Sequence, residues 1–81
     1  MKTIIIDDDK SSIETLTQKL KSYKEIEFCG SANTCSTGIH LAAEVNPEVI
    51  FLDVELPDLS GLEFLMQLDN ITRGWCQVIM Y

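Results

Sequence analysis

Thr3-Ile4-Ile5-Ile6 running into Asp7-Asp8-Asp9, and Val49-Ile50-Phe51-Leu52 running into Asp53, decide how this chain folds. Each is a run of β-branched or large apolar residues bounded by polar ones, the pattern of a strand buried on both faces of a parallel sheet. Laid side by side, two such strands bring their carboxyl ends to one edge, where strands are spaced by roughly 5 Å. The acids that close them then crowd a single patch. That crowding opposes folding unless a cation or a chemical role accompanies it, so the patch is where function is expected.

Working outward, Ser11 with Glu14 forms a capping box that predicts a helix start. Ile13, Leu16, Leu20 and Tyr23 follow at helical spacing and make one apolar stripe. Lys19, Lys21 and Lys24 gather towards its end, where the helix dipole favours cations. Ile26-Glu27-Phe28-Cys29 alternates before Gly30, as an edge strand with one wet face does. Thr34 suits the cap of a second helix carrying Ile39, Leu41, Ala42 and Val45; Gly38 weakens that helix and Asn46-Pro47 ends it. The third strand spans Val49 to Asp53. After a loop holding Pro57, Ser60 with Glu63 offers a second capping box, and Leu62, Leu65, Met66 and Leu68 give a short helix its apolar face. Gln77 to Tyr81 reads as a fourth strand.

The order is β-α-β-α-β-α-β, which implies a parallel sheet with helices on both faces. In open sheets of this kind ligands sit beyond the carboxyl ends of the strands, and the acids are placed there. With 81 residues, 46% of them hydrophobic, the chain suits one small globular domain. A formal charge of −7 argues against binding nucleic acid or anionic lipid, and is compatible with a divalent cation or a basic partner surface. Met1-Lys2 leads straight into a strand with no signal-peptide pattern, and no segment reaches the roughly 18 apolar residues that span a bilayer. Cys29, Cys35 and Cys76 have neither an even count nor a metal-site spacing, which fits reduced thiols in a cytoplasmic protein.

Taken singly, the acids have ordinary explanations. An acidic run before a helix is favoured by the dipole, and an Asp closing a strand commonly caps the next turn. Together they carry more. Two unit charges 4 Å apart at an effective dielectric near 20 interact by about 4 kcal/mol, so the cluster needs protonation, water or a cation to relieve it. Hard oxygen donors without nearby histidine or thiol favour Mg²⁺, with several waters retained in its coordination sphere.

The acidic pair Asp7-Asp8 after strand one, followed by Val49-Ile50-Phe51-Leu52-Asp53-Val54-Glu55-Leu56-Pro57-Asp58-Leu59-Ser60-Gly61, resembles the receiver domain of bacterial response regulators in two-component systems. Cys29-Gly30-Ser31-Ala32 is similar to the second strand and following loop of many receivers. The resemblance covers the whole chain and implies a flavodoxin-like, doubly wound sheet of strand order 2-1-3-4. It implies Asp53 as phosphoacceptor, taking phosphate from the phosphohistidine of a sensor histidine kinase, with Mg²⁺ held by Asp7, Asp8, Asp53 and the backbone carbonyl of Glu55. It also implies relay to an output domain, transcriptional by analogy, that residues 1–81 do not contain. Self-phosphotransfer is the most catalysis expected.

Members of this family continue through a hydroxyl residue after the fourth strand, a fourth helix, a fifth strand ending in lysine, and a fifth helix. Residues 1–81 therefore read as a partial receiver, expected to switch poorly and to self-associate through an exposed edge or helix face. Lys10 lies beside the patch but does not match the family lysine. The Glu55 side chain either alters the lifetime of a modified state or is simply solvated. Pro57 and Gly61 read as backbone devices, and His40 as a surface histidine away from the acids. Two competing readings stand beside the receiver. One is a phosphorylation-independent interaction or dimerisation module; the other, weaker one is a small hydrolase, for which no second aspartate or general acid is evident.

Overall fold

Seven elements alternate along the chain: β1 (Lys2–Ile6), α1 (Lys10–Leu20), β2 (Glu27–Ala32), α2 (Cys35–Val45), β3 (Val49–Leu52), α3 (Gly61–Thr72) and β4 (Gln77–Met80). The computed structural model describes residues 1–56, 58, 61–72 and 76–81, with the backbone alone at 61, 62 and 72. Pro57 and Ser60, and with Ser60 the second capping box, lie outside the described residues. The four strands form one sheet in the order β2-β1-β3-β4, and every neighbouring pair is parallel. The expected topology is present.

Alternation along the central strands sorts side chains to two faces. Ile4, Ile6, Ile50 and Leu52 join Cys35, Ala42, Leu56, Phe64 and Leu68 in the main core, beneath α2 and α3. Ile5 and Phe51 belong to the other face, where Phe51, Ile79 and Tyr81 share a groove with Leu16 and Lys19 of α1. Ile4, Ile5, Ile6 and Ile50 are fully buried, as expected of strands covered on both sides. Phe64 and Leu68, four residues apart, supply the buried face of α3. The expected Leu65 and Met66 lie 37% and 62% exposed, because each residue turns the helix by about 100° and carries them off that face.

Several element ends differ from expectation. Asp9, not Ser11, caps α1: its carboxylate accepts from Ser11 N at 3.0 Å and Ser12 Oγ at 3.1 Å. The acidic run is thus partly a capping device, and the Ser11–Glu14 box is not the helix start. Helix α1 ends at Leu20, so Tyr23 leaves the apolar stripe and is exposed. Strand β2 continues through Gly30 to Ala32 by way of a register shift against Thr3 and Ile4, and Gly30 takes φ +148° there, a conformation that favours glycine. Strands β3 and β4 each stop one residue early by ladder pairing. Even so, Asp53 N donates to Ile6 O at 2.9 Å and Tyr81 N to Leu52 O at 3.0 Å, so both residues stay fixed in the sheet.

The expected cap on α2 is present and extended. Thr34 accepts from Thr37 N at 3.1 Å, while Thr37 Oγ1 accepts from Thr34 N at 3.3 Å. Asn46 ends the helix in the left-handed region at φ 53°. Gly38 has a packing reason for its place. A Cβ there would lie 2.4 Å from Ile6 Cδ1, so the glycine lets α2 sit directly on β1.

Candidate functional site

The parallel register pairs Ile6 with Leu52, and the next residue of each strand is an aspartate. Asp7 N donates to Ala32 O at 3.0 Å, so the first acid is held as firmly as the strand it follows. One carboxylate oxygen each from Asp7, Asp8 and Asp53 lies within 4.8 Å of the others, a group able to hold a metal ion. The convergence expected from the two strand ends is therefore present. Asp7 is only 2% exposed, Asp53 is half-buried, and Asp8 stands at the exposed rim. Asp9 and Glu55 also border this cleft of about 490 Å³, together with Ser12, Val54 and Tyr81.

Two of the three carboxylates are already oriented. Asp7 Oδ1 accepts from Asp9 N at 3.0 Å, and Asp7 Oδ2 accepts from the Tyr81 hydroxyl at 2.6 Å. Asp53 Oδ1 accepts from Glu55 N at 3.0 Å, closing a turn directly after β3. These bonds divide the acids electrostatically. Burial pushes the Asp7 carboxyl up, but the Tyr81 hydroxyl, the Asp9 amide and a shared hydrogen bond with Asp53 hold it below its ordinary value. At Asp53 the Glu55 amide favours the anion. Burial and the charges of Asp7 and Asp8 outweigh it, and this carboxyl lies above its ordinary value. The environment thus favours the anion at Asp7 and disfavours it at Asp53. Burial, then the bond to Asp7, pushes the Tyr81 phenol well above its usual range, so it remains a donor.

Tyr81 was not among the expected site residues. Its only sequence signal is position: it closes the fourth strand at the same sheet edge as the acids. The remaining candidates fall out as follows. Lys10 opens α1 and lines a neighbouring cleft of about 680 Å³ together with Asp7, Asp8, His40 and Glu44. His40 is exposed as expected but shares that cleft with the acids, a proximity its helix position does not reveal. Burial leads the rise of the Cys35 and Cys76 thiols to about 11, with the Asp58 charge adding at Cys35, and all three cysteines are unpaired. Neither raised thiol is a reactive one.

A parallel 2-1-3-4 sheet with an aspartate cluster at its carboxyl edge defines a class, and comparison with known proteins gives the family. The response regulator receiver domain model matches residues 3–81, and the chain belongs to that family, the signal-receiving domains of two-component systems. It is 35% identical over 75 residues to the transcriptional regulatory protein BtsR of Escherichia coli K12, covering 93% of this chain and 31% of that protein. A response regulatory protein of Vibrio cholerae is 33% identical over 72 residues, covering 89% of this chain and 30% of the relative. The chain thus spans about 30% of the length of these curated relatives.

Among solved structures, the response regulator domain of Thermotoga maritima CheB superimposes with a TM-score of 0.86 at 26% identity. That match covers 99% of this chain and 58% of the CheB chain. A LuxR-family two-component response regulator from Aurantimonas gives the same TM-score at 16% identity, over 98% of this chain and 56% of its own; it speaks for the fold alone. The fold is the flavodoxin-like fold of receiver domains. Among the described residues no helix is long and apolar enough to cross a membrane.

Proposed function

We propose that residues 1–81 form the phosphoryl-accepting part of a response regulator, with Asp53 as the residue modified. The convergence of Asp7, Asp8 and Asp53 within 4.8 Å carries this reading. Asp53 Oδ1 is engaged by the Glu55 amide, which favours Oδ2 as the attacking atom. That oxygen forms a bond to the phosphorus of a phosphohistidine on a partner kinase, the P–N bond breaks, and the imidazole leaves with the electron pair and takes up a proton. An acyl phosphate on Asp53 results.

The donor set fits Mg²⁺, being made of hard oxygens at a wet rim. Asp8 and Asp53 would hold the ion directly, with the Glu55 carbonyl as a further oxygen. Asp7, whose two oxygens already accept hydrogen bonds, would reach it through water. When bound, the ion offsets repulsion between the carboxylate and the incoming phosphoryl group. The chain's own residues contribute position: the Asp9 and Glu55 amides and the Tyr81 hydroxyl hold the acids in place before any ligand arrives.

The histidine kinase partner, a cytoplasmic setting and relay to an output domain are inferred from the family, which supports them by analogy. Control of transcription is inferred from the name of BtsR. Incubation with acetyl phosphate and Mg²⁺ tests the assignment. A labile phosphate on the wild-type chain, absent from Asp53→Ala, is expected; label retained in that variant rejects it. Continuous turnover of the phosphodonor without a modified chain would favour a hydrolase instead.

A second reading, an interaction module independent of phosphorylation, draws on β4. That strand pairs with β3 alone among the described residues, and Ile79, Met80 and Tyr81 are each more than 40% exposed. Self-association through this edge is the form it would take.

A further inference from the structure

Outside the acid cluster, one carboxylate is used in a way the proposed chemistry does not explain. Asp58 follows β3 in sequence, yet it sits at the start of α2. Its Oδ1 accepts from Cys35 N at 3.0 Å, and its Oδ2 accepts from Ser36 N at 3.0 Å and Ser36 Oγ at 3.2 Å. These are the first two amides of α2, which lack partners within the helix and lie at its positive end. Thr34 caps the next amide, that of Thr37, so the start of α2 is satisfied by two devices of different origin. One comes from the residue before the helix and the other from a loop 22 residues on.

Described residues of the segment after Asp53 are thereby held at successive points. Asp53 Oδ1 holds the Glu55 amide, Leu56 is buried in the main core, and Asp58 is tied to α2. Glu55 is part of the first of these anchors and precedes the other two. α2 in turn rests on β1 through the close approach of Gly38 to Ile6, one residue before Asp7. Contacts therefore lead from the first acid strand, through α2, to Asp58 in the segment that follows Asp53.

We propose that Asp58 is a positioning residue, a clamp that joins the loop after Asp53 to the N-terminus of α2 and so holds Asp53 and the Glu55 carbonyl in register with Asp7 and Asp8 for a divalent cation. The inference rests on the metal-binding reading given above. Asp58 touches neither the cation nor the phosphoryl group; it acts through the loop. The two amides and the hydroxyl favour its anionic form, with the Cys35 amide contributing most, so it clamps throughout the neutral range. Helix capping alone would make Asp58 matter for α2 and leave the acids unaffected. The clamp makes it matter for both.

Mg²⁺ titration of the 81-residue chain, followed through backbone amide NMR shifts, separates the two. Asp58→Ala, Asp58→Asn and Thr34→Ala are compared with wild type at a temperature where circular dichroism shows each of them folded. Thr34→Ala removes the other cap of α2 and leaves the loop alone. The expected result is an Mg²⁺ affinity weakened about tenfold in Asp58→Ala, the scale seen when a group that orients a metal ligand is lost. Asp58→Asn, which keeps one acceptor oxygen, should be weakened less, and Thr34→Ala should bind as wild type does. Should Asp58→Ala not fold, Asp58→Asn against Thr34→Ala decides. Wild-type affinity in the Asp58 variants, or an equal loss in Thr34→Ala, overturns the clamp while leaving the metal site standing. Absence of saturable Mg²⁺ binding by wild type overturns the metal-binding reading and the clamp together.

Discussion

Asp53 illustrates how a residue can be placed against its own electrostatic preference. Its carboxyl is held above the ordinary value although the Glu55 amide pulls it down, because burial and two neighbouring acids prevail. Without a cation, Asp53→Asn should therefore stabilise the fold, by roughly 1 kcal/mol after screening and relaxation. At this chain length that corresponds to a rise of about 4–8 °C in melting temperature. Its pH dependence has a definite sign. Well below the ordinary aspartate value of about 3.9, Asp53 is protonated in both states and the two proteins melt alike. As pH rises through the higher folded value, the native chain must release a proton it holds more tightly than the unfolded chain does, so wild type falls behind the variant. Asp7 and Asp58, both lowered, act oppositely: their stabilisation is present above the ordinary value and lost as pH falls through the folded one. Melting curves in EDTA from pH 3 to 7 should show the Asn advantage growing with pH; a constant difference would refute the assignment. The acids themselves were legible from sequence because each ends an apolar run. Tyr81 and Asp58 were not, since both act across more than twenty residues and no local pattern marks them.

At the level of elements, packing rather than propensity decides several outcomes. Gly38 reads from sequence as a weak point in α2, and the structure gives it a use. Gly38→Ala would gain up to about 1 kcal/mol of helix propensity, but its methyl would meet three Ile6 carbons, at 2.4, 2.9 and 3.2 Å. Ile6 is fully buried and β-branched, so it cannot swing aside. A net loss of about 1–2 kcal/mol is expected on denaturant unfolding. Ile6→Val, which removes the atom nearest the new methyl, should recover part of it; a stabilised Gly38→Ala would show that α2 has room to move off β1. The same logic explains which elements could be read ahead. The central strands announce themselves because both faces are buried. On α3 Leu68 is covered as expected, but Leu65 and Met66 are exposed and Phe64 is buried instead, because all are apolar and only the sheet beneath decides which are covered. The α1 cap was misassigned because Asp9 and Ser11 are both good capping residues, and the end of β1 favours the earlier.

Taken as a whole, the molecule is unevenly finished. α2 packs on α3, β1 and β2 over the main core, whereas α1 leaves a groove of about 440 Å³ bordered by Leu16, Phe51, Ile79 and Tyr81. Ile79, Met80 and Tyr81 are exposed together on a strand that, among the described residues, pairs with β3 alone. The self-association proposed above as the second reading is tested at this scale. Sedimentation equilibrium should give an average mass that climbs with concentration, and Ile79→Lys with Met80→Lys should suppress the climb; a constant monomer mass at high concentration would contradict it. The alternating order and the parallel sheet could be read from spacing, because alternating β and α segments admit few arrangements, whereas the family and the strand order rested on resemblance. How completely each face is covered could not.

The in-register meeting of β1 with β3 gives the acid cluster a thermodynamic role beyond any chemistry performed there. Asp7 and Asp53 follow strands that are neighbours only in the native state, so denaturation would scatter them and destroy the divalent-ion affinity proposed above. Ligand occupancy and folding are then one linked equilibrium: melting should shift upward with the logarithm of free Mg²⁺ in wild type and stay flat in Asp53→Ala. A cell in which this ion is plentiful would hold the domain more tightly folded than a chelated solution does.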